Sequence, residues 1–415
     1  MRNSGFIWII LVILLVLDIY VYQALKVVAQ TNGQRSRFII FAAYWFISGL
    51  AVLFLMTMPY LKPESWPKGL RTYVFAIVVG LFFAKLLAVT FLILDDVRRG
   101  MMWTVGKLYS NPSVKVSQSS DGITRSAFLS WMGLAVGGSL FGTLLYGFTN
   151  KYNYTVRKLK LAYPNLPSAF KGFKILHISD IHSGSFTDSL AVQKGIHKIM
   201  HQGADIILFT GDLVNDRATE MDEFKHMFAK LEAPMGIYST LGNHDYGDYV
   251  QWDSDEMKKA NLDQLKKVHA DMGWRLLMNE HVVLQKEGHE IALLGIENWS
   301  AKGNFPKYGK MSEAYAGTEK FPFKILLSHD PSHWEGEVLQ KYQDVDLVLS
   351  GHTHGMQFGV EIPGFKWSPV QYMYKQWAGL YEAGKQRLYV NRGFGFLGYP
   401  GRVGIMPEIT LIELV

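Results

Sequence analysis

The chain has 415 residues, more than one ordinary core fills, so two or three structural units are expected. It contains no cysteine, which excludes disulfides and thiolate metal sites and leaves nitrogen and oxygen as the only donors for a metal. A formal net charge of +6 with no stacked-aromatic basic module argues against a nucleic-acid partner and fits Lys and Arg gathered at the ends of membrane spans.

Four long apolar runs crowd the first part of the chain: Phe6 to Tyr22, Phe38 to Tyr60, Tyr73 to Leu94 and Ala127 to Phe148. Each holds about 17 to 23 residues, enough at 1.5 Å per residue to cross roughly 30 Å of hydrocarbon, so an all-α bundle of four transmembrane helices is expected over residues 1–150. No small-residue cleavage pattern follows the first run and three further runs come after it, which separates it from a signal peptide. Asp18 and Lys85 interrupt two runs, and a charge in lipid is costly enough to suggest a partner or a bundle-facing position; the favoured expectation is that both lie near enough to their run ends to reach the interface.

With four spans, the N-terminus, the second loop and everything after Phe148 share one side. Arg2, Lys62, Lys68, Arg71, Lys151, Arg157, Lys158 and Lys160 fall there. Lys26, Arg35, Arg37, Arg98, Arg99, Lys107, Lys115 and Arg125 fall opposite, so the charge rule for orientation ties. The stretch TRSAFL, Thr124 to Leu129, resembles a twin-arginine export signal with Ser126 in place of the second arginine. It tips the expectation to a multi-pass protein of the inner, cytoplasmic membrane with its C-terminal domain on the extracytoplasmic side.

From about Tyr152 short apolar runs alternate with amphipathic stretches, and residues 151–415 are expected to form one α/β domain. YTVRKLKLAY has period two and predicts a strand, as do FKILHISD and DIILFTGD, with a helix in SLAVQKGIHKIMHQ between them. EFKHMFAKLE predicts a helix, GIYSTLGNHD a strand into a loop, and MKKANLDQLKKVHADMG a second helix. HVVLQ, EIALLGIEN, FKILLSHDP, DVDLVLSGHTHG and EITLIEL predict the remaining strands.

These strands end in short polar clusters, where α/β sheets hold ligands. The clusters are SDIHSG (Asp180, His182), TGDLVND (Asp212, Asp216), LGNHDYG (Asn243, His244, Asp245), LSHDPSHW (His329, Asp330) and SGHTHG (His352, His354). Taken singly, each has a plain reading as a helix cap or a polar turn. Residues two apart on a strand point the same way, so Asp180 and His182 can reach one metal, while His352 and His354 are spaced to serve two ions roughly 3.5 to 4 Å apart. Two close cations need an anionic bridge, for which Asp212 is the candidate. The set expected is Asp180, His182 and His354 on one ion, Asn243, His329 and His352 on the other, and Asp212 on both, each ion keeping an open position.

In order and spacing the blocks D-x-H, G-D, G-N-H-D, H and G-H-x-H resemble the calcineurin-like metallophosphoesterases, over about residues 155 to 415. The resemblance implies a four-layer α-β-β-α sandwich of two mixed sheets with both metals at one edge. It implies two divalent ions (Mn, Fe or Zn) and phosphoester hydrolysis by metal-activated hydroxide. His244 would contact phosphate and assist the leaving group, Asn243 would also touch substrate, and Asp245 would orient His244 or a neighbouring ligand.

VNRGFGFLGYPGR, Val390 to Arg402, resembles the signature of a bacterial membrane-associated branch of that family. It implies that Asn391, Arg392 and Arg402 lie near the substrate anion. That branch continues its G-H-x-H-G block with a second glycine, whereas Met356 stands here. The segment Phe358 to Gln386 carries Phe365, Trp367, Tyr372, Tyr374, Trp377 and Tyr381, either a cover for the sandwich or an apolar lip for a lipid-like substrate. The expectation is a membrane-anchored hydrolase of a phosphodiester or pyrophosphate, lipid-linked or membrane-proximal, with membrane lipids as further partners. A nucleotide phosphodiesterase with incidental anchoring and a non-enzymatic phospholigand sensor are the alternatives, and oligomeric state is not indicated.

Overall fold

The computed structural model describes residues 4–58, 60, 66–108, 124–303, 305 and 307–415. Arg2, Lys62 and Lys115 of the charge comparison lie outside them. The chain divides into two compact units, Met1–Tyr146 and Gly147–Val415.

The first unit is helical: α1 (Ser4–Val28), α2 (Gln34–Thr57), α3 (Lys68–Leu108) and α4 (Arg125–Gly147). All 4 are long and apolar enough to cross a membrane. Helix α3 reaches 41 residues and runs well past the apolar run that ends at Leu94. Its charged continuation stays helical through pairs one turn apart, Arg98 Nη2 to Asp95 Oδ1 at 2.7 Å and Arg99 Nη2 to Asp96 Oδ1 at 2.6 Å.

Asp18 and Lys85 do not reach toward an interface. They are 0% and 6% exposed and pair with each other across α1 and α3, Lys85 Nζ to Asp18 Oδ1 at 2.5 Å. Ser48 Oγ and Tyr44 Oη of α2 donate to the same oxygen at 2.8 and 3.0 Å. An unpaired charge in hydrocarbon costs several kcal/mol, and two opposite charges in contact with added hydroxyl donors offset much of that.

The strands of the second unit are β1 (Thr155–Leu161), β2 (Lys174–Ile178), β3 (Ile206–Phe209), β4 (Ile237–Ser239), β5 (Trp274–Leu276), β6 (Glu280–Lys286), β7 (His289–Gly295), β8 (Lys324–Leu327), β9 (Leu347–Ser350), β10 (Val360–Ile362), β11 (Phe365–Trp367), β12 (Gly379–Ala383), β13 (Gln386–Val390) and β14 (Glu408–Leu414). One 6-stranded sheet has the order β1-β14-β2-β3-β4-β5, another β12-β13-β9-β8-β7-β6, and β10-β11 form a separate hairpin. In the first sheet β2 to β5 run parallel, with β14 antiparallel beside β2; in the second β7, β8, β9 and β13 run parallel between antiparallel edges.

Side-chain alternation along these strands builds the layers. Ile175, Ile206 and Leu208 face Leu293, Ile325, Leu327, Leu347 and Leu349 in a core between the two sheets. Their neighbours Leu176, Ile207 and Phe209 turn the other way, against Val192 and Ile196 of α5 (Ser189–Met200) and Leu265 and Val268 of α7 (Asp255–Asp271). On the far side, Leu294, Leu326 and Val348 pack on Met311 and Ala314 of α8 (Met311–Tyr315) and on Trp334 and Val338. The result is helices, sheet, sheet, helices.

The helix expected over EFKHMFAKLE is only one turn, α6 (Lys225–Phe228); past it the chain tightens into three-residue turns, Lys230 N–H to Met227 O at 3.2 Å and Leu231 N–H to Phe228 O at 3.1 Å. Strands β5 and β10 to β13 complete the sheets and hairpin beyond what periodicity indicated.

Candidate metal centre

Parallel strands bring their carboxyl ends to one edge. Asp180 and His182 follow β2, Asp212 follows β3, Asn243 to Asp245 follow β4, His329 follows β8, and His352 and His354 follow β9. The strand-alternation argument for the D-x-H and H-x-H pairs does not hold in detail, because these residues lie past the strand ends. Instead Asp180, His182, Asp212, His352 and His354 all have left-handed backbones, with φ of 52°, 46°, 60°, 71° and 50°. Non-glycine residues adopt that region at a cost of about 1–3 kcal/mol each, and such strain gathers where function over-determines the backbone.

The loops bearing them are laced together. Asp180 N–H donates to Gly211 O at 2.9 Å and His182 N–H to Asp212 O at 3.0 Å, continuing the β2–β3 pairing past the strands. His352 N–H donates to the Asp180 carboxylate at 3.0 Å. Gly351 makes that approach possible, since a Cβ there would lie 2.1 Å from Asp180 Oδ2.

Two overlapping donor groups result, Asp180–His182–His354 and Asp180–Asp212–His329, each with its ligand atoms within 4.8 Å of one another. Asp212 Oδ2 lies 3.4 Å from His182 Nε2 and 3.2 Å from His329 Nε2, between the groups, where a bridge is needed. His354 Nε2 is 3.3 Å from Asp180 Oδ1. On the other flank Asn243 Oδ1 lies 3.1 Å from His329 Nε2 and 2.8 Å from His352 Nδ1. Five of the seven expected ligands make up these two groups, Asn243 and His352 lie beside His329, and Asp216 is in neither group.

Unmet donor capacity fits this set to cations. His182 is fully buried, yet neither ring nitrogen has a hydrogen-bond partner, and His354 Nε2 is likewise buried and unpartnered. Such orphan nitrogens are costly unless something coordinates them. Burial favours the neutral forms of Asp180 and Asp212, but the surrounding histidines outweigh it and hold both carboxyls below their usual range. Burial likewise opposes charge on His329, and Asp212 reverses this, raising its pKa above the ordinary value. Two buried carboxylates whose close charged neighbours are histidines draw positive charge into the cluster.

Outer contacts fix the rings. His329 Nδ1–H donates to Thr210 O at 2.7 Å, turning Nε2 inward. His352 presents Nδ1 to the cluster, while its Nε2 meets Tyr374 Oη at 2.9 Å; Tyr374 in turn donates to Asp330 at 3.1 Å. Tyr374 and Asp330 are thus positioning groups: Asp330 stands beside His329 in the strand-end cluster LSHDPSHW, whereas the aromatic density of the 358–386 segment is the signal for Tyr374.

His244 lines the cleft, with Nδ1 at 2.7 Å from Asn215 O. Asp245 does not touch that ring. Its carboxylate accepts from the backbone N–H of Gly242, Asp212 and Leu213, each at 2.8 Å, so it shapes the loop that carries Asp212. Burial first, then the Asp212 charge, pushes its pKa up.

Arg392 and Arg402, 2% and 0% exposed, do not reach the open cleft. Arg392 pairs with Glu408 at 2.5 Å and Glu361 at 2.6 Å. Arg402 donates to the carbonyl oxygens of His354, Arg392, Gly393 and Gly395, pinning the glycine-rich turn behind His354. Asn391 is also inside, bonded to Thr410 at 2.9 Å. The cleft itself, about 180 Å³, is lined by His182, Asp212, Asn243, His244, His352 and His354 with Tyr249, Phe305 and Leu397 as less polar walls.

Comparison with known proteins follows the same division. Residues 1–151 match the family described as "Probable Calcineurin-like phosphoesterase, transmembrane domain", and residues 173–356 match "Calcineurin-like phosphoesterase". A zebrafish "transmembrane protein with metallophosphoesterase domain" is 28% identical over 326 residues, covering 76% of this chain and 68% of the relative. The Escherichia coli phosphodiesterase YaeI is 28% identical, covering 59% of this chain and 82% of its own. UDP-2,3-diacylglucosamine pyrophosphatase LpxG of Chlamydia trachomatis is 29% identical, covering 48% and 70%.

Proposed function

Because the chain belongs to the calcineurin-like phosphoesterases that carry an N-terminal transmembrane domain, and is a metal-dependent phosphoester hydrolase, we propose that it cleaves a phosphodiester or pyrophosphate bond in a lipid-linked or membrane-proximal substrate. The observation that carries the reading is fully buried His182, both ring nitrogens unpartnered, between two buried carboxylates at the floor of a cleft.

Asp180, His182 and His354 would hold one ion and Asn243, His329 and His352 the other, with Asp212 shared; the nitrogen and oxygen donors suit Mn, Fe or Zn. Bound ions of this kind supply a hydroxide nucleophile and Lewis acids for phosphoryl oxygens. The chain's own residues do the rest. Asp245 fixes the loop that aims Asp212, and Tyr374 with Asp330 fixes His352. Nδ1–H of His244 is tied to Asn215 O, so the proton it exchanges with the leaving oxygen belongs to Nε2. Phe305 and Leu397 give the cleft apolar walls.

A bilayer-borne substrate is supported by four candidate spans and by the relative named for a diacylated nucleotide sugar. The stretch Thr124 to Leu129 supports an extracytoplasmic catalytic domain, and a C-terminal phosphatase fusion active only in the cytoplasm would refute that assignment. For the reaction, the purified full chain is assayed on bis-p-nitrophenyl phosphate and on vesicle-borne lipid pyrophosphates. Chelation is expected to abolish turnover and Mn, Fe or Zn to restore it. Equal rates for wild type and Asp212→Ala would overturn the metal-site reading, and soluble diesters cleaved with lipid pyrophosphates untouched would overturn the lipid-linked one.

A further inference from the structure

The hairpin β10–β11 has its faces reversed for a surface element. Its register pairs Val360 with Trp367, Glu361 with Lys366, and Ile362 with Phe365, so one face is apolar and the other charged. The charged face points into the domain: Glu361 bonds Arg392 and Arg157, each at 2.6 Å, and Lys366 Nζ donates to Ala378 O at 2.5 Å. The apolar face points out, with Val360, Ile362 and Phe365 exposed by 42%, 58% and 54%, and Tyr372 and Met373 just beyond by 78% and 60%. Ordinary amphipathic hairpins do the opposite, and a contiguous outward apolar face marks a surface that something apolar covers.

The chain's own connectivity says what covers it. The last candidate span runs from Arg125 to Asn150. Where it ends, Gly147 O accepts from Arg402 N–H at 2.9 Å, Asn150 Nδ2 donates to Arg402 O at 3.3 Å, and the Phe148 and Tyr399 rings lie 5.6 Å apart. The next residue of that turn, Val403, bridges Phe358, and its carbonyl accepts from Gly359 N–H at 2.9 Å, immediately before β10. A single turn, Tyr399 to Val403, therefore holds the end of a membrane span and the root of the hairpin.

We propose that the outward face of β10–β11, with Tyr372 and Met373, is a membrane-contact lip that lies in the headgroup–acyl boundary of the bilayer the spans cross. Its composition is that of an interfacial element, aliphatic side chains flanked by Trp and Tyr. The hairpin leaves the catalytic turn directly after His354, and Glu361 is tied to Arg392, the residue whose carbonyl holds Arg402 behind that histidine. The lip therefore keeps the metal cleft at headgroup level. This last consequence rests on the lipid-linked substrate reading; the contact itself does not.

Absence of cysteine makes the test direct, since Ile362→Cys and Phe365→Cys each offer a single thiol. Each full-length variant, labelled with an environment-sensitive fluorophore, is placed in nanodiscs of phosphatidylethanolamine and phosphatidylglycerol. Lys385→Cys, at the β12–β13 turn, is the aqueous control. The proposal expects both hairpin labels to be quenched by doxyl-labelled acyl chains and shielded from iodide, with the control showing the reverse. Hairpin labels as open to iodide as the control would overturn it. Ready disulfide-linked dimers of Ile362→Cys would also overturn it, assigning the face to a second copy. For the consequence, Ile362→Ser combined with Phe365→Ser should leave bis-p-nitrophenyl phosphate hydrolysis unchanged and slow a vesicle-borne substrate about tenfold or more, on the scale of the apolar burial lost. If wild type ignores vesicle-borne substrates while the labels remain in lipid, the substrate reading falls and the lip stands.

Discussion

Each unit buries carboxylate, and the two do so in opposite ways. In the helical unit Asp18 is met by Lys85, Ser48 and Tyr44 on a single oxygen, so its charge is balanced by a residue of the chain. In the sheet unit Asp180 and Asp212 meet histidines and, among the described residues, no Lys or Arg ion pair, several ring nitrogens are left without partners, and the backbone is held left-handed at five of the expected ligand positions. The first cluster has its charge balanced within the chain although Asp18 Oδ2 has no hydrogen-bond partner, whereas the second has no such internal counter-ion and is organised around something the polypeptide does not supply. A buried acid is therefore informative only with its partners counted.

The largest break in that contrast is expected at Asp212. Asp212→Asn removes the charge that lies between His182 and His329 while keeping its shape, and should lower kcat/KM on bis-p-nitrophenyl phosphate by roughly three orders of magnitude or more, since Lewis-acid stabilisation is worth several kcal/mol. Melting of the metal-free protein at neutral pH should fall as well, because the histidines that hold Asp212 below its usual range favour its ionised form in the fold, a contribution that Asn lacks. The span cluster tests the charge-pair side of the contrast. Lys85→Met strands Asp18 and should destabilise the helical unit by about 3–5 kcal/mol in denaturation of the full chain in micelles, whereas Asp18→Leu with Lys85→Met should return close to wild type. A double variant no better than the single one would show that the pair is not self-balancing.

These contrasts were unequally legible in the sequence. The site was readable because apolar strand runs stop abruptly at polar clusters, and parallel strands carry all such ends to one edge. The local route was not: Asp180 and His182 converge through left-handed turns, which residue spacing does not encode. Position alone leaves Asp245 to orient His244 or a neighbouring ligand and sets the arginines near the substrate anion; the contacts of Asp245 are with the loop that carries Asp212, and those of Arg392 and Arg402 with glutamates and backbone carbonyls, which only the folded chain reveals. For Asp18 and Lys85 a partner is the second-ranked reading of the sequence, behind a position at the interface, and the pair itself is not legible there. Each residue looks like a flaw in its own run, and only helix packing brings residues 67 apart in sequence together.

Asp245 tests how far the open cluster depends on its scaffold. Its carboxylate holds the N–H groups of Gly242, Asp212 and Leu213, a job that Asn can do only in part because one of its two acceptors becomes a donor. Asp245→Asn should weaken metal affinity or activity by about 10- to 100-fold, the usual cost of losing a group that orients a ligand. Metal titration followed by isothermal calorimetry separates this from a direct chemical role: activity restored in full by excess metal supports orientation, whereas unchanged affinity with lost turnover sinks it.

The smallest effect comes from a buried histidine that has an orphan nitrogen but no carboxylate beside it. His269 is 0% exposed, its Nδ1 lies 3.0 Å from Ser239 Oγ, and its Nε2 has no partner. Burial alone lowers its pKa to about 3, against an ordinary value near 6.5. The unfolded chain therefore takes up a proton that the folded one refuses. The contribution to stability is nearly all present at pH 7.5 and is lost progressively as pH falls through about 6.5 toward 3, by about 1.4 kcal/mol between pH 7.5 and 5.5. His269→Phe, set among Phe209 and Trp274, should flatten that part of the acid limb in urea denaturation at pH 5.5 and 7.5, while metal content stays at the wild-type level. A fall in metal content would mean that an orphan imidazole nitrogen suffices to recruit a cation here, and the distinction between the two buried-acid clusters would then rest on charge alone.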